Sequence, residues 1–500
     1  MKKVIAAAVS AMAFASMAAV EEVAKVRFAD ATGLVSAAMK IGELSGNGMI
    51  GAAAAAQIND CEVFKFFGPA RSGASIALSL VADGDKLAGG VEEWASSFGA
   101  SVLYPIEGKE QFLARQPGNV VTNGLVFVKD ASCSLFNKTY FAFTPDGKWV
   151  AASDKPELAK SALALVADAS KPMGSDVVKF TIGQKAMKNV LAVLDKAAAE
   201  SAAKGEKLVS ENDMDIIKGI SSFSMAMRVS SAGIDFRAKV GAVKGSEFDK
   251  VGCKALAKDA LAFAGDSAIC AAAGAEGTSG ANAKALVDAF VAAMTKRGIK
   301  LDFLGIKSVP GRVTFDMDVP ALVKYAQGEG SSAFGKIDPE ELFSELRPAI
   351  EAATKATKPS AGPAFSTSFA VKGYKPKSSA AAVFAKTLPE VSGKPLYSAY
   401  ASSLYSLFKA IVAQVVATLP AEAAGQVKPL IAALPEEGER GIAQACWRDG
   451  DAHVAITRIS ADEIRGIGAA VNAAMGFFMA NAVQQGGGCP VEDDDSDDED

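Results

Sequence analysis

Hydrophobic and polar residues alternate along several short stretches of the chain, which is the pattern of β-strands with one buried face. In the clearest stretch, 223–229, Phe, Met, Met and Val occupy every second position. It is followed by a turn at 230–233 and by a second alternating stretch at 234–240. Similar stretches occupy 76–80 and 365–371. We therefore predict a hairpin at 223–240 and strands at the other two places.

Apolar residues spaced three and four positions apart replace this alternation in other segments, which predicts amphipathic helices. One such run extends from Leu286 to Met294 and ends at Gly298. Another begins at Leu404 and is stopped by Pro420.

One strand–turn–strand–helix pattern occurs twice with the same spacing. The sequence is PDGKWVAASDKPEL at 145–158 and VPGRVTFDMDVPAL at 309–322. When Gly147 is aligned with Gly311, three further pairs coincide, namely Asp154 with Asp318, Pro156 with Pro320 and Leu158 with Leu322. The coincidence favours an internal duplication over chance.

The acidic residues of this pattern have structural interpretations. Asp146 and Gly147 predict a two-residue type I′ hairpin turn, because both central positions of that turn require positive φ. Asp154 is predicted to cap the following helix. A looser third copy occupies 447–464, where Ser460 and Glu463 predict a capping box.

These patterns predict an α+β fold of three divergent repeated units, each with antiparallel strands packed against long amphipathic helices. The predicted divisions of the chain are a signal peptide at 1–18, α+β units at 19–174, 175–333 and 334–488, and a disordered acidic tail at 489–500.

The N-terminus has the features of a secretory signal peptide, with Lys2 and Lys3 before a short apolar run and cleavage expected after Ala15 or Ala18. The run is shorter than the ~20 residues that a membrane-spanning helix needs. We therefore expect an exported bacterial protein, either periplasmic or at the cell surface, with no transmembrane segment after cleavage.

The charge is concentrated in the tail, because the segment 492–500 contains eight acids. Without them and the two N-terminal lysines, the formal charge of −5 becomes +1. A nearly neutral body has no basic surplus for nucleic acid, so no nucleic-acid partner is expected.

Six cysteines in an exported chain permit three disulfides. Two fall in each of the first two predicted units, and Cys446 of the third is followed by Cys489 at the start of the tail. This distribution favours bonds between Cys253 and Cys270 and between Cys446 and Cys489. Buried free thiols are the alternative. None of the six is in a CxxC pair, so a zinc cluster is not expected.

The sequence offers few candidates for catalysis. His453 is the only histidine, and its position in the alternating stretch DAHVAITR predicts an ordinary surface residue of a strand. The segment 330–337 has the spacing of a P-loop until Ile337 replaces the serine or threonine that would bind Mg²⁺. It is interpreted as a linker.

The carboxylate pairs are interpreted as structural. Asp316 and Asp318 share the solvent face of one strand, whereas Asp83–Asp85 and Asp449–Asp451 resemble hairpin turns. We therefore assign no catalytic, cofactor-binding or metal-binding residue and expect neither a cofactor nor enzymatic activity. The uncharged segment 466–483 is predicted to be a buried terminal helix rather than a membrane span, because it contains two asparagines and three glycines.

The repeated turn–strand–helix pattern, carried by Gly147, Asp154 and Pro156 and again by Gly311, Asp318 and Pro320, resembles poorly characterised families of Ala-rich exported bacterial proteins. The resemblance covers about 23–483. Such families are classed as domains of unknown function, so the resemblance implies an exported protein of this type but no catalytic residues.

The expected function is that of a non-catalytic envelope protein, acting as a scaffold or binding module for an envelope protein or an apolar ligand. One alternative is a periplasmic carrier of a hydrophobic ligand, with Phe223, Met225, Met227 and Phe236 lining a groove between sheet and helices. These four side chains would otherwise form a packed core. A hydrolase that uses carboxylates from different units is the other alternative.

Overall fold

A computed structural model describes the chain over eleven ranges: 21–71, 73–82, 98–116, 119–122, 125–128, 139–203, 211–276, 283–309, 311–328, 337–355 and 364–485. The predicted signal peptide, the acidic tail, the P-loop-like segment up to 336 and the turn at 83–85 lie outside these ranges.

The described residues form an α+β fold, as the sequence predicted. The strands are β1 (Glu21–Phe28), β2 (Ile76–Ala82), β3 (Phe98–Pro105), β4 (Asn119–Thr122), β5 (Leu125–Val128), β6 (Thr139–Phe143), β7 (Trp149–Ser153), β8 (Asp176–Ile182), β9 (Ile220–Ser230), β10 (Gly233–Ala242), β11 (Ala268–Gly274), β12 (Leu304–Val309), β13 (Arg312–Met317), β14 (Phe365–Val371), β15 (Leu396–Ser402), β16 (Ile442–Asp449) and β17 (Ala452–Ser460).

The α-helices are α1 (Ala31–Leu44), α2 (Gly48–Asp60), α3 (Glu62–Phe67), α4 (Lys109–Ala114), α5 (Pro156–Ala162), α6 (Val166–Ala169), α7 (Gln184–Ala203), α8 (Glu211–Lys218), α9 (Glu247–Lys250), α10 (Ala283–Lys296), α11 (Val319–Gln327), α12 (Pro339–Lys355), α13 (Ala380–Thr387), α14 (Leu404–Thr418), α15 (Ala421–Ala432) and α16 (Ala461–Gln485). The predicted hairpin at 223–240 corresponds to β9 and β10, and the two predicted amphipathic helices correspond to α10 and α14.

All seventeen strands of the described ranges belong to one sheet. Following the pairings from one edge to the other gives the order β4-β5-β6-β7-β3-β2-β1-β8-β9-β10-β17-β16-β15-β11-β14-β13-β12. Each pairing is antiparallel except that of β13 with β14.

The three predicted units therefore meet in one sheet. Strand β8 of the segment 175–333 pairs with β1 of the segment 19–174. Strand β11, also from 175–333, lies between β14 and β15 of 334–488. Each predicted unit ends in a hairpin followed by a helix, namely β6–β7–α5, β12–β13–α11 and β16–β17–α16.

The hairpin around Gly147 differs from the predicted two-residue turn. Phe143 pairs with Val150, so the loop is longer, and Gly147 N–H donates to the Thr144 carbonyl at 2.9 Å. Gly147 has a φ of 66°, and the Asp146 carboxylate accepts from Lys148 N–H at 3.1 Å. The acid thus stabilises the loop itself, and the side chain of Thr144 supplies a further donor.

The predicted caps have mixed outcomes. Asp318 caps α11 by accepting from Ala321 N–H at 3.0 Å, as expected. Asp154 does not cap α5, because the residue before that helix is Lys155 and no side chain accepts from the first turn. At α16, Ser460 Oγ accepts from Glu463 N–H at 3.1 Å, but the Glu463 carboxylate binds elsewhere.

Helices cover the two sheet faces unevenly. Helix α7 packs through Ala186 and Met187 against Phe180 and Phe223 at β8 and β9. Helix α14 packs on the same face farther along the sheet, against Phe369 and other residues of β13 and β14. The opposite face of β11, β15 and β16 is covered by α13, which buries alanines 271, 273, 399, 401, 443 and 445. The gap between α7 and α14 defines the site described next.

Candidate binding face

One row of side chains crosses the middle of the sheet on the face that carries α7 and α14. Its members are direct partners in the strand register, in the order Met227, Phe236, Thr457, Gln444, Tyr400 and Ala272. Directly opposite residues in antiparallel strands point to the same side. We call this side of β9, β10, β17, β16 and β15 the open face.

The open face is apolar at β9 and β10 and keeps substantial contact with solvent. Met225 is 41% exposed and Phe236 is 36% exposed, although both lie on interior strands of the sheet. The remaining members of the row are neither fully buried nor fully exposed. By contrast, Ala443, Ala445 and Ile456 on the opposite face are at most 3% exposed.

Charged residues are concentrated on the opposite face. On β9, β10 and β17 the alternation of the strands places all charged side chains there, at Arg228, Asp235, Arg237, Lys239 and Arg458. Six described strands are neighbours here in the sheet, in the order β8, β9, β10, β17, β16 and β15. On their open face they carry one charged residue, Arg448 of β16. The charged side of β10 meets water, since the side chains of Arg237 and Lys239 are 45% and 56% exposed. The usual half-solvated antiparallel sheet buries its apolar face, whereas here the apolar face is exposed as well.

The four side chains that the sequence suggested as a groove lining do share the open face. Met227 pairs with Phe236, and Met225 and Phe223 follow at alternate positions on β9. Phe223 lies beneath α7, with its ring 5.9 Å from that of Phe180. Two of the four, Met225 and Phe236, are among the exposed large hydrophobic residues and are not packed core.

His453 lies at one end of the open face, opposite Val240, and is 4% exposed. Its Nδ1 is 3.2 Å from the hydroxyl of Tyr397, and its ring centroid is 4.4 Å from that of Phe248. The buried Nε2 has no hydrogen-bond partner among the described residues. Burial, reinforced by the positive charge of Arg448, lowers the pKa of His453, whereas the backbone of Phe248 and the charge of Asp249 act in the opposite direction.

The prediction that His453 is a surface residue is wrong. The residues 246–253 cross this end of the open face and cover the imidazole with Phe248. Gly252 approaches so closely that a Cβ atom there would lie 2.3 Å from the Tyr397 ring. Strand periodicity identifies which side of the strand His453 occupies but not what packs on that side.

Arg448 holds the covering segment in place. Its Nη2 donates to the Asp249 carboxylate at 2.6 Å, and its Nη1 donates to the Asp249 carbonyl and lies 3.7 Å from Cys253 Sγ. The Gly245 N–H and the Arg448 guanidinium lower the pKa of Asp249. The one charged residue that the described strands place on the open face is therefore neutralised by a partner.

The predicted disulfide between Cys253 and Cys270 is wrong, because both residues are free thiols. Cys253 lies in the exposed covering segment, whereas Cys270 lies in the interior strand β11. Cys446 is also free, and its predicted partner Cys489 lies outside the described residues. Protein surrounds the Cys446 thiol and raises its pKa to about 11, although the residue keeps some solvent exposure.

The most buried acid in the described chain was not recognised from the sequence as a separate feature. Glu463 is 1% exposed and accepts from Ser403 Oγ at 3.0 Å and from Tyr405 N–H at 2.9 Å. Burial raises its pKa against the effect of these hydrogen bonds. The carboxylate caps α14. The sequence had instead predicted that Glu463 would take part in a capping box of α16, the helix to which it belongs.

Glu437 lies at the same end of α14, where its carboxylate accepts from Ser406 Oγ at 2.9 Å, from Lys377 N–H at 3.0 Å and from Tyr374. Because protein donors occupy both carboxylates, we assign Glu437 and Glu463 to the structure. The other acids that the sequence singled out also have structural roles. Asp316 belongs to strand β13, and Asp318 caps α11. Asp449 pairs with Lys239 at 3.1 Å.

A groove of about 700 Å³ lies beside the open face, between α1 and the ends of β8 and β9. Its charged side chains are paired, Lys40 with Glu43 at 2.8 Å and Asp176 with Arg228 at 3.0 Å. Over the described ranges, no group of three or more potential ligand residues could hold a metal ion. None of the helices in those ranges is long and apolar enough to cross a membrane.

Helix α16 matches the predicted terminal helix, and among its residues up to 476 the buried ones lie between 463 and 470. Gly468 packs against Ser45 in the loop after α1, and Asn472 accepts from the Asn47 amide at 2.7 Å. Val471 and Met475 of the same helix are exposed. The prediction of a buried helix is therefore wrong at Val471 and Met475.

Comparisons with known proteins give little similarity. No family model and no curated protein matches the chain. Two solved chains match, crystal forms IV and I of TP0453, with 8% and 7% sequence identity and TM-scores of 0.22 and 0.21. They cover 45% and 46% of this chain and 78% of their own. At such scores nothing about this chain follows from the match.

Proposed function

We propose that this protein is an exported, non-catalytic binding protein of the bacterial envelope that carries an apolar ligand on the open face. The observation that carries the proposal is the exposure of Met225 and Phe236 on interior strands whose charged residues lie on the other side. Contiguous exposed apolar surface marks binding sites more often than chance exposure does. Methionine suits such a surface because its flexible thioether adapts to different ligand shapes.

An apolar molecule fits this face better than an extended peptide. A peptide that adds to a sheet needs free main-chain groups at an edge strand. Strands β9, β10 and β17 are each paired on both sides, so their main-chain groups are occupied. Ligand contact on the open face is therefore made by side chains, and those of β9 and β10 are apolar.

Binding also fits the described side chains better than hydrolysis does. A carboxylate-dependent hydrolase needs two acids in different environments beside a substrate site. On the described strands of the open face there is no acid. The Glu463 carboxylate caps α14, and the Glu437 carboxylate accepts hydrogen bonds from Ser406, Lys377 and Tyr374. Export is supported by the signal-peptide features of residues 1–18, and the nearly neutral body agrees with a ligand that is not a polyanion.

The test is native mass spectrometry of the full-length protein purified from its own envelope, together with two variants. Met225→Lys places a charge on the open face, and Ala226→Lys places the same charge on the neighbouring residue, which faces the other side of β9. We expect an apolar molecule to co-purify with the wild type and with Ala226→Lys but not with Met225→Lys. Retention by Met225→Lys, or no ligand on any of the three proteins, would overturn the proposal.

A scaffold is the second candidate, and the two ends of the sheet support it. Strands β4 and β12 each pair with one neighbour among the described residues, and Val120, Val121 and Val309 are exposed there. Unpaired edge strands can bind another chain by adding it to the sheet. The same native mass spectrometry separates the candidates, because a scaffold would co-purify with a protein chain instead of a small apolar molecule.

We also propose that the chain arose from three duplicated units. The recurring hairpin and helix at the end of each predicted unit support this, whereas the order of their strands in the sheet differs between units. Because β11 lies between β14 and β15, we expect the segment 175–333 to need 334–488 for folding. Circular dichroism of the two segments, expressed separately and then together, tests this dependence.

A further inference from the structure

We infer that the ligand of the open face is an uncharged amphiphile, with its apolar chain over Met225 and Phe236 and its polar end at Thr457 and Gln444. This inference rests on the proposed function and specifies the ligand class. It follows from the change of polarity along the row of paired residues, from the absence of an available charge and from the unpaired polar groups at one end.

The row changes from apolar to polar across neighbouring strands. Met227 and Phe236 come first, followed by Thr457, Gln444 and Tyr400 on β17, β16 and β15. Adjacent strands are ~4.8 Å apart, so the distance from β9 to β15 is about 19 Å. An elongated ligand lying across the strands would therefore meet an apolar end and a polar end of the same surface.

The neighbouring row is composed of smaller side chains and can form the floor of a trough. Next to Met225 it contains Ala238, Ala455, Cys446 and Ser398, again as direct register partners. The larger residues Phe236 and Gln444 stand on one side of this floor, and His453 and Arg448 stand on the other. The exposure of Met225 and Phe236 shows that the apolar end of the trough is accessible to solvent.

The charges around the trough favour a neutral ligand. Arg448 is the only charged residue on the described strands of the face, and it is bound to Asp249 at 2.6 Å. Among the side chains of these described strands, a carboxylate or phosphate would find no free cation and an ammonium group no free acid. Placing an ion in such a site without a partner is unfavourable, because its hydration is not replaced.

Unpaired polar groups provide the contacts for a neutral head group. The side chains of Thr457 and Gln444 form no hydrogen bond with another described residue and lie opposite each other. The hydroxyl and the amide can each donate and accept, which suits an alcohol or an ester. The buried Nε2 of His453 has no partner either and lies on the strand that carries Thr457, four positions away.

The experiment compares three ligands with the same chain and different head groups, namely 1-dodecanol, dodecanoate and dodecyltrimethylammonium. Their dissociation constants for the full-length protein, cleared of bound lipid, are measured by isothermal titration calorimetry. We expect dodecanol to bind at least about tenfold more tightly than either ion, because the ions lose hydration without gaining a partner.

Variants locate the head group. Thr457→Val and Gln444→Leu should each weaken dodecanol binding by about threefold to tenfold, the effect of one neutral hydrogen bond. Thr181→Val is the matched control, because Thr181 is also a strand threonine of intermediate exposure but lies on the other face of the sheet. It should bind dodecanol as the wild type does. Circular dichroism confirms that each variant is folded.

The outcomes separate this inference from the proposed function. If no dodecyl ligand binds to the wild type, the carrier proposal fails and the inference fails with it. If all three ligands bind equally and the Thr457 and Gln444 variants behave as the control does, the apolar face stands and the neutral head-group site is wrong. Tighter binding of either ion would also overturn the inference.

Discussion

Replacing Asp235 with alanine should destabilise the pairing of β10 with β17 much more than breaking an exposed ion pair between β10 and β16. Asp235 is 3% exposed, and its two carboxylate oxygens accept from Arg458 at 2.6 and 2.9 Å. Burial by itself would raise the pKa of Asp235, but the hydrogen bonds and charge of Arg458 outweigh burial and lower it. The folded protein therefore keeps this acid charged and paired.

The loss in the free energy of unfolding depends on the partners that Arg458 keeps after Asp235 is removed. Removing one member of a buried ion pair typically costs ~3–5 kcal/mol, because the other charge stays buried without its partner. Arg458 would retain Glu390 at 2.8 Å and the Thr387 carbonyl at 2.9 Å. We therefore expect about 3 kcal/mol for Asp235→Ala, the lower end of that range. Replacing both residues, as in Asp235→Leu with Arg458→Met, should recover much of the loss.

Asp449→Asn is the matched control. Asp449 pairs with Lys239 of β10 at 3.1 Å, and the two side chains are 62% and 56% exposed. Exposed pairs contribute about 0–1 kcal/mol. Urea dependence of hydrogen exchange in peptides from β10 and β17, measured by mass spectrometry, reports the local free energy of opening. If Asp235→Ala costs no more than Asp449→Asn, the ion pair does not stabilise the pairing of β10 with β17 and the reasoning is refuted.

Three further predictions concern pH, thiol reactivity and helix packing. Because the folded state lowers the pKa of His453, the unfolded chain binds the proton more readily. The stability of the protein should therefore fall as the pH drops below the unfolded pKa of about 6.5. The urea midpoints at pH 5 and pH 8 should differ less in His453→Gln than in the wild type. Cys253 is exposed and should react with a maleimide before Cys446, because the pKa of Cys446 is raised to about 11 and the thiolate is the reactive form. Peptide mapping that finds Cys446 modified first would contradict this order. Gly468→Ala should lower the melting temperature, because its Cβ would lie 2.3 Å from the Ser45 carbonyl oxygen, whereas Gly476→Ala meets no atom within 4 Å and should be neutral or stabilising.

The local elements could be predicted because their determinants are close in sequence. The hairpin of β9 and β10 follows from alternation over eighteen residues, 223–240, and the end of α14 follows from Pro420. The cap of α11 by Asp318 requires contact between residues three positions apart. Even here, the cap predicted at Asp154 is absent, because the chain enters α5 at Lys155 without using a side-chain acceptor.

The order of strands could not be predicted in this way. Alternation specifies which residues share a face, but a strand with one apolar face can pair with many others. Nothing local places β11 between β14 and β15 or makes the contact of β13 with β14 parallel. The same long-range placement separates Cys253 from Cys270, so their proximity in sequence was a poor guide to a disulfide.

By itself, the sequence determined the α+β class, the positions of the main strands and helices, and the apolar character of one side of β9 and β10. The tertiary structure alone decided whether that side is covered. Helices α7 and α14 pack at its two ends and leave Met225 and Phe236 exposed, whereas the segment 246–253 closes over His453. The physical reason is that periodicity records the polarity of a strand face, while burial depends on which distant segment packs against it.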